Sequence, residues 1–342
     1  MENSLASSRK PVKILDGIPM LIICIVVFAA LLILGLVGAL DNNTMRYLFK
    51  IFLYITMGTM WNLMSGFTGM TSLGQQVFVG IAGYSVAVMT STYKMSMWVG
   101  ILVGAAIGVI FAFLLSFVLF RMRGMYFAVA TWLVAEAVRL WFNSWTFVKQ
   151  GAGMTVATSQ IPRMPELYTY ALILCVIALA VVYILLRSKI GLGLTAMRDD
   201  ADAASSVGVN IFKSKLLCYI ICSLFIALAG ALFALQKGSV LPSSSFSIDW
   251  TVAMVFIVII GGVGTMAGPI LGGVIYVILS EVLAKLPGWS NIILGAIAII
   301  VIIFLPKGIM GTLMEKLHFD IFSQKRLSEP KKVKGLKEKA NI

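Results

Sequence analysis

Apolar runs of about 18 residues or more, separated by short basic turns, constrain this chain more than any other feature. A helix of that length matches the hydrocarbon thickness of a bilayer. The runs do not alternate with period two, so a helical membrane protein is expected rather than a barrel. Composition agrees. Of 342 residues, 60% are hydrophobic and 12% charged, with mean hydropathy +0.99, whereas soluble domains carry about 25% charged residues.

The pattern predicts an all-α integral membrane protein with about ten transmembrane helices, at 18–40, 47–65, 72–92, 97–120, 125–143, 168–187, 214–235, 249–264, 268–285 and 290–306. The first run is too long for a signal-peptide core and lacks a clear cleavage site, so it is expected to be retained. The chain divides into an N-terminal tail 1–17, a membrane domain 18–312 and a C-terminal tail 313–342. The net charge of +13 invites a nucleic-acid reading. However, the positive residues fall at helix ends and in the tails, where they fix orientation and touch anionic lipid. These clusters are Arg9, Lys10 and Lys13; Arg121 and Arg123; Arg187, Lys189, Arg198, Lys213 and Lys215; and seven residues between Lys325 and Lys339. Ten crossings put all of them on the cytoplasmic side, together with both termini, and leave the loop 144–167 outside.

Several chemistries find no support. The cysteines Cys24, Cys175, Cys218 and Cys222 all lie in apolar runs, and the one histidine, His318, is remote from them. A zinc site would need more ligands, so the cysteines read as small packing residues. There is no G-x-x-x-x-G-K-[ST] phosphate loop and no G-x-S-x-G elbow. An ATPase or hydrolase activity of the chain itself is not expected. Gly100, Gly104 and Gly108, Gly230 and Ala234, and Gly268 and Gly272 recur every four residues, which reads as close helix packing in lipid.

Between two oily helices lies a polar island, residues 187–215. Asp199, Asp200 and Asp202 crowd the start of a short helix, where acids favour the positive end of the dipole. Ala203, Ala204 and Val207 give it a small apolar face, and Gly208 is a natural stop. A membrane protein that displays such a helix to the cytosol is expected to display it to a partner.

Two Gly-rich stretches break the apolar pattern. Gly66 to Gly74 contains Thr71-x-x-Gly74, and Gly261 to Pro269 contains Thr265-x-x-Gly268. Broken segments at comparable places in two halves point to repeat-built transporters with a central pathway. Tight turns between packed helices explain them equally well. Gln75 and Gln76 beside the first break are candidate pathway groups. Glu136, Arg139 and Asn143 share one face of an apolar helix. A lone charge at mid-membrane costs about 2.5–3.5 kcal/mol, so the pair should face the bundle or a wet cavity. It reads either as a pathway lining or as an ion pair locking two helices. Glu281 and Asp249, nearer helix ends, are weaker candidates.

Together these residues resemble permeases of branched-chain amino acid ABC transporters. The island matches the family loop at Arg198, Asp199, Asp200, Ala204, Gly208 and Asn210. The resemblance continues through RGMYFAVATWLVAEAVRLWFN, with its Glu136–Arg139 pair, through SLGQQVFVG around Gln75, through IIGGVGTMAGPILGG and through LPKGIMG. It spans about 55 to 312 and is nearer the longer of the two paired permease subunits, the Liv-type M subunit. The loop 144–167 departs from the family's Gly-rich version but keeps Gly151 and Gly153. The resemblance implies a subunit of an importer located in a bacterial or archaeal cell membrane. Its partners would be two cytosolic ATP-binding cassette subunits, a second homologous permease and an extracytoplasmic solute-binding protein, with no nucleic acid. The chain would bind no cofactor; ATP and magnesium would sit on the partner subunits. The short helix near 199–207 would be the coupling helix, seated in a groove of an ATPase subunit. Branched-chain amino acids are the expected solute, with urea, short amides or aromatic acids as alternatives. An ion-coupled secondary transporter is a rival reading, and a docking scaffold is another.

Overall fold

The computed structural model describes residues 13–14, 28, 30–33, 35, 40–285, 289–305, 307–317 and 319–320. Nearly all of the N-terminal tail, most of the first apolar run, Cys24, His318 and residues 321–342 with their lysines lie outside the described residues.

The described chain is almost entirely helical. In order it runs α1 Asn42–Ser65, α2 Gln76–Ala87, α3 Met97–Leu119, α4 Met125–Ser144, α5 Met164–Arg187, α6 Lys189–Asp199, α7 Ala201–Ser206, α8 Ile211–Lys237, α9 Pro242–Ser245, α10 Asp249–Gly261, α11 Gly268–Leu283, α12 Ser290–Phe304 and α13 Gly308–Leu317. A single wide turn, Val88–Thr92, extends α2. Four two-residue strands make two pairings. β1 Lys13–Ile14 runs parallel to β4 Phe319–Asp320, and β2 Met154–Thr155 runs antiparallel to β3 Ser239–Val240.

Among the described residues six stretches are long and apolar enough to cross a bilayer: Met97–Leu119, Met125–Ser144, Met164–Arg187, Ile211–Lys237, Pro242–Gly261 and Ile292–Leu313. α1 is long enough, at 24 residues, but more polar. Gln76–Thr92 and α11 are shorter. The helix expected from residue 72 starts instead at Gln76, because the break from Gly66 continues through Gly74, with Gly69 at φ +73°. The helix expected from 168 starts at Met164, where Pro165 sits in the first turn without a lost hydrogen bond.

The bundle has two distinct ends. At the island end Phe120 meets Phe212 edge-on at 5.7 Å, and Arg123 approaches Asp202 at 3.5 Å. At the far end the Thr90 hydroxyl accepts from the Ala157 amide, and the Met97 amide donates to Gln160 Oε1 at 3.1 Å. α2 and α8 lie at the centre, and α1 packs against α5, α8, α10 and α11. Their approach depends on missing side chains. A Cβ on Gly230 of α8 would stand 2.6 Å from Val79 Cα, and one on Gly104 of α3 would stand 2.9 Å from Ala82 Cα. The four-residue glycine spacing therefore marks helix contacts, as the sequence suggests. Cys175, Cys218 and Cys222 are buried free thiols within this packing.

α5 and α6 are separated by one extended residue, Ser188, and α6 and α7 by one, Asp200. Each of the two caps the helix it precedes, Ser188 through Gly191 N and Asp200 through Asp202 N and Ala203 N. The island is therefore two short helices in a tight chain, not one.

Candidate functional site

The two Gly-rich breaks lie side by side at the island end, although about 200 residues separate them. Asn62, near the end of α1, joins them. Its Nδ2 donates to Thr265 O at 2.8 Å, and its Oδ1 accepts from Gly264 N at 2.9 Å. Asn62 is buried, so both amide groups need these partners in a site shielded from water. The second break turns through Gly262 at φ +124° and Gly264 at φ +71°, where a side chain would be strained. Thr265 closes it by donating to Gly262 O at 2.8 Å and accepting from Gly268 N at 3.1 Å. The first break is tied to α1 through Trp61 Nε1, which donates to Ser72 O at 2.9 Å. Its Thr-x-x-Gly is used differently. Thr71 is exposed beside Ser65, while Gly74 packs flat on Thr131 O of α4.

Arg198 connects this junction to the island. From the last turn of α6 its Nη1 donates to Gly66 O at 3.0 Å, while Nε and Nη2 hold Asp199 Oδ1 at 3.1 and 3.0 Å. A Cβ on Gly264 would lie 3.3 Å from the same Nη1. One guanidinium thus reaches both breaks. Asp199 belongs to α6, and only Asp200 and Asp202 serve the start of α7. Gly208, at φ +91°, ends α7, and Asn210 caps α8 by accepting from Lys213 N at 2.9 Å. The three residues of the expected apolar face divide. Ala204 is 3% exposed and faces inward, whereas Val207 is 79% exposed and Ala203 is open to solvent. Of the three, only Ala203 and Val207 are open at the surface.

A polar seam continues upward from the junction through the core. Gln75 Nε2 donates to Met64 Sδ, while its Oε1 is buried without a hydrogen bond. Thr59 Oγ1, also on α1, is likewise unsatisfied. Gln76 Oε1 accepts from Thr251 of α10, and both residues are buried. Leaving a buried polar atom unpaired costs about 1–3 kcal/mol, so Gln75 and Thr59 have hydrogen-bonding capacity to spare. Asn62, Thr59 and Thr251 do not stand out in the sequence reading. The signal available was Asn62 itself, one amide in an apolar run, four residues before Gly66.

Glu136 and Arg139 lie apart from this seam. They pair with each other on α4, Arg139 Nε lying 3.0 and 2.9 Å from the two Glu136 oxygens. The side chains are 37% and 30% exposed and share an outward face with Trp132 and Asn143. The opposite stripe, Phe127, Ala128, Thr131, Ala135 and Phe142, is the one that packs. A second membrane-level pair, Lys50 with Glu281, ties α1 to α11.

The geometry therefore offers a jointed polar seam and an outward charged face. Comparison with known proteins puts a family to this arrangement: residues 43–304 match the one described as the permease component of branched-chain amino acid transport systems. The chain belongs to that family. Among the permeases it is similar to, the high-affinity branched-chain amino acid permease LivM of Salmonella typhimurium is 28% identical over 306 residues, covering 80% of this chain and 70% of the relative. LivM of Escherichia coli gives the same values. The autoinducer 2 import permease LsrC of Photorhabdus luminescens is 28% identical over 139 residues, 39% of this chain and 42% of the relative. No solved structure matches the chain. The match to the permease family spans every element of the junction, from Asn62 to Gly268.

Proposed function

We propose that this chain is the membrane-spanning subunit of an ATP-driven importer for branched-chain amino acids. The solute is supported by the two LivM relatives, which align along 80% of the chain, whereas the autoinducer permease aligns along 39%. Ten crossings are part of this reading. The spans would be the first apolar run, α1 to α5, α8, α10 with the short α9 at its start, α11 and α12. The island end faces the cytoplasm in a bacterial or archaeal cell membrane, because Arg121, Arg123 and the basic residues of the island gather there. Both tails share that side.

The observation that carries the mechanism is Arg198. It ties the island to Gly66 and stands against Gly264. A cytosolic ATPase subunit seated on α7 would move α6 with it, and the guanidinium would pass the displacement to both broken segments. The exposed Ala203 and Val207, with Asp202 beside them, form the docking surface. The unsatisfied Gln75 and Thr59, with Gln76, Thr265 and Gly268 around the same seam, supply hydrogen bonds along a transport route through the core. ATP and magnesium belong to the partner subunits.

A second permease of the same fold covers the outward face of α4. A charged pair turned toward lipid is costly, and a partner chain would enclose Glu136, Arg139 and Asn143 between two subunits. Glu136 is neutralised by Arg139 on its own helix, which disfavours a free proton carrier and hence an ion-coupled carrier. A solute-binding protein would meet the opposite end, at loop 145–163.

The test uses the complete importer in proteoliposomes with ATP inside. Arg198→Ala and Val207→Arg are expected to assemble in the membrane yet lower leucine uptake and uptake-coupled ATP hydrolysis at least tenfold. Wild-type coupling in both variants would overturn the assignment of the island.

A further inference from the structure

A cavity of about 370 Å³ opens at the far end of the bundle, between α1, α2, α8, α10 and α11. That volume falls within the range of small-molecule sites, about 300–1,000 Å³. Its chemistry is mixed in a specific way. Lys237, at the C-terminal end of α8, places an ammonium on the rim. Asp249, the first residue of α10, places a carboxylate there. Each charge sits at the helix end that favours it. Among the described residues the two do not pair with each other or with any other charge. A serine-rich loop holds both: Lys237 Nζ donates to Ser244 Oγ at 3.3 Å, and Ser247 Oγ donates to Asp249 Oδ2 at 2.8 Å.

Below the charges the wall is aromatic. Tyr54 stacks on Trp250 at 6.0 Å, Phe233 meets Trp250 edge-on at 4.6 Å, and Tyr54 meets Tyr276 at 4.9 Å. Trp250 is fixed by its indole N–H, which donates to Ser244 O at 2.9 Å. The serine loop is itself anchored by Phe246, which stacks on Tyr84 and packs on Phe142. Beside Trp250 along α10, and one turn from Val79 along α2, lies the buried Gln76–Thr251 pair.

We infer that this cavity is a receiving site for a zwitterionic α-amino acid with an apolar side chain. The ligand carboxylate meets Lys237, its ammonium meets Asp249, and its side chain rests on the Phe233, Trp250, Tyr54 and Tyr276 rings. Separated opposite charges over an aromatic floor match that ligand class. They do not match urea, an amide or a neutral sugar, none of which uses both charges. The inference rests on the branched-chain reading above and deepens it. It places a discriminating site in the permease itself, between the solute-binding protein and the core seam.

Two measurements on one preparation of the assembled importer separate the possibilities. Leucine uptake by the wild-type importer with its binding protein tests the branched-chain reading; no leucine uptake sinks that reading. Equilibrium dialysis without the binding protein then tests the cavity, using labelled leucine, 4-methylpentanoate (no ammonium) and 3-methylbutylamine (no carboxylate). Asp249→Asn is expected to weaken leucine at least tenfold while leaving 4-methylpentanoate within twofold. Lys237→Gln is expected to weaken leucine similarly while leaving 3-methylbutylamine within twofold. The retained analogue in each variant reports a folded site. If uptake is intact but the wild type binds no leucine, or if the variants bind leucine as the wild type does, or lose both ligands alike, the receiving site is overturned and the branched-chain reading survives.

Discussion

The junction of the two Gly-rich breaks and the outer face of α4 carry comparable polar chemistry but are completed differently. At the junction, each hydrogen-bonding group of the Asn62 side chain finds its partner within the chain. On α4, an ion pair satisfies itself but stays about one-third exposed, among Trp132, Leu133, Leu140 and Trp141, all open at the surface. Burial follows the same division. Of the apolar window of α8, 61% is buried, against 28% for α4. In a bilayer an apolar surface is not a sign of an unfinished interface, because lipid covers it. A charged one is such a sign. The junction is thus a finished joint, and the outer face of α4 is where the proposed second permease would sit.

The comparison can be broken at four points. The largest effect should come from the joint's tightest packing. Gly272→Val would drive a side chain into Ile257 O, already 2.0 Å from where a Cβ would stand. The expected loss is on the order of 4 kcal/mol or more, seen as failure to recover monodisperse protein in detergent. Next, Asn62→Ala would strand Thr265 O and Gly264 N. Two part-buried unpaired groups cost roughly 2 kcal/mol together, read as a lower melting temperature of the isolated chain. Third, Glu136→Gln should change the melting of the isolated chain by less than about 1 kcal/mol, because the pair is partly exposed. It should nonetheless reduce recovery of the paired permease severalfold, with Glu136→Gln/Arg139→Gln recovering better than the single variant. Equal recovery of both would show that the face needs no partner. The smallest effect belongs to Arg123→Ala. Its 3.5 Å contact with Asp202 joins two highly exposed side chains, and its removal should shift stability by less than about 0.5 kcal/mol.

The apolar helices were legible because length and composition suffice to mark them. α3, α4, α5 and α8 lie within a few residues of expectation. α1 was placed too, although it is the most polar of the long helices, since its neighbours bury it. What the sequence could not disclose were contacts distant along the chain. Nothing near Arg198 indicates that its partner is Gly66 O, and nothing near Gln76 indicates Thr251. The island was read as one acidic-headed helix. In fact Asp199 closes one helix and Asp200 caps the next, because a residue in extended conformation intervenes. Ala203, Ala204 and Val207 were read as one small apolar face. On a six-residue helix resting against α6 and α8, small size and apolarity do not decide which side faces out. The charges of the far-end cavity had a readable signal, a lysine and an aspartate bracketing a run of serines.

The single-residue joints at Ser188 and Asp200 have a mechanical consequence. A connection of one residue has almost no length to stretch or coil, so a push on α7 cannot be absorbed as slack before it reaches α5. Gly191 is pressed against the carbonyls of Leu185 and Leu186, with a Cβ position only 2.5 Å from each, which removes the space for α6 to swing independently. Input from the proposed ATPase at the island would therefore emerge as displacement of an entire transmembrane rod, with little lost along the way.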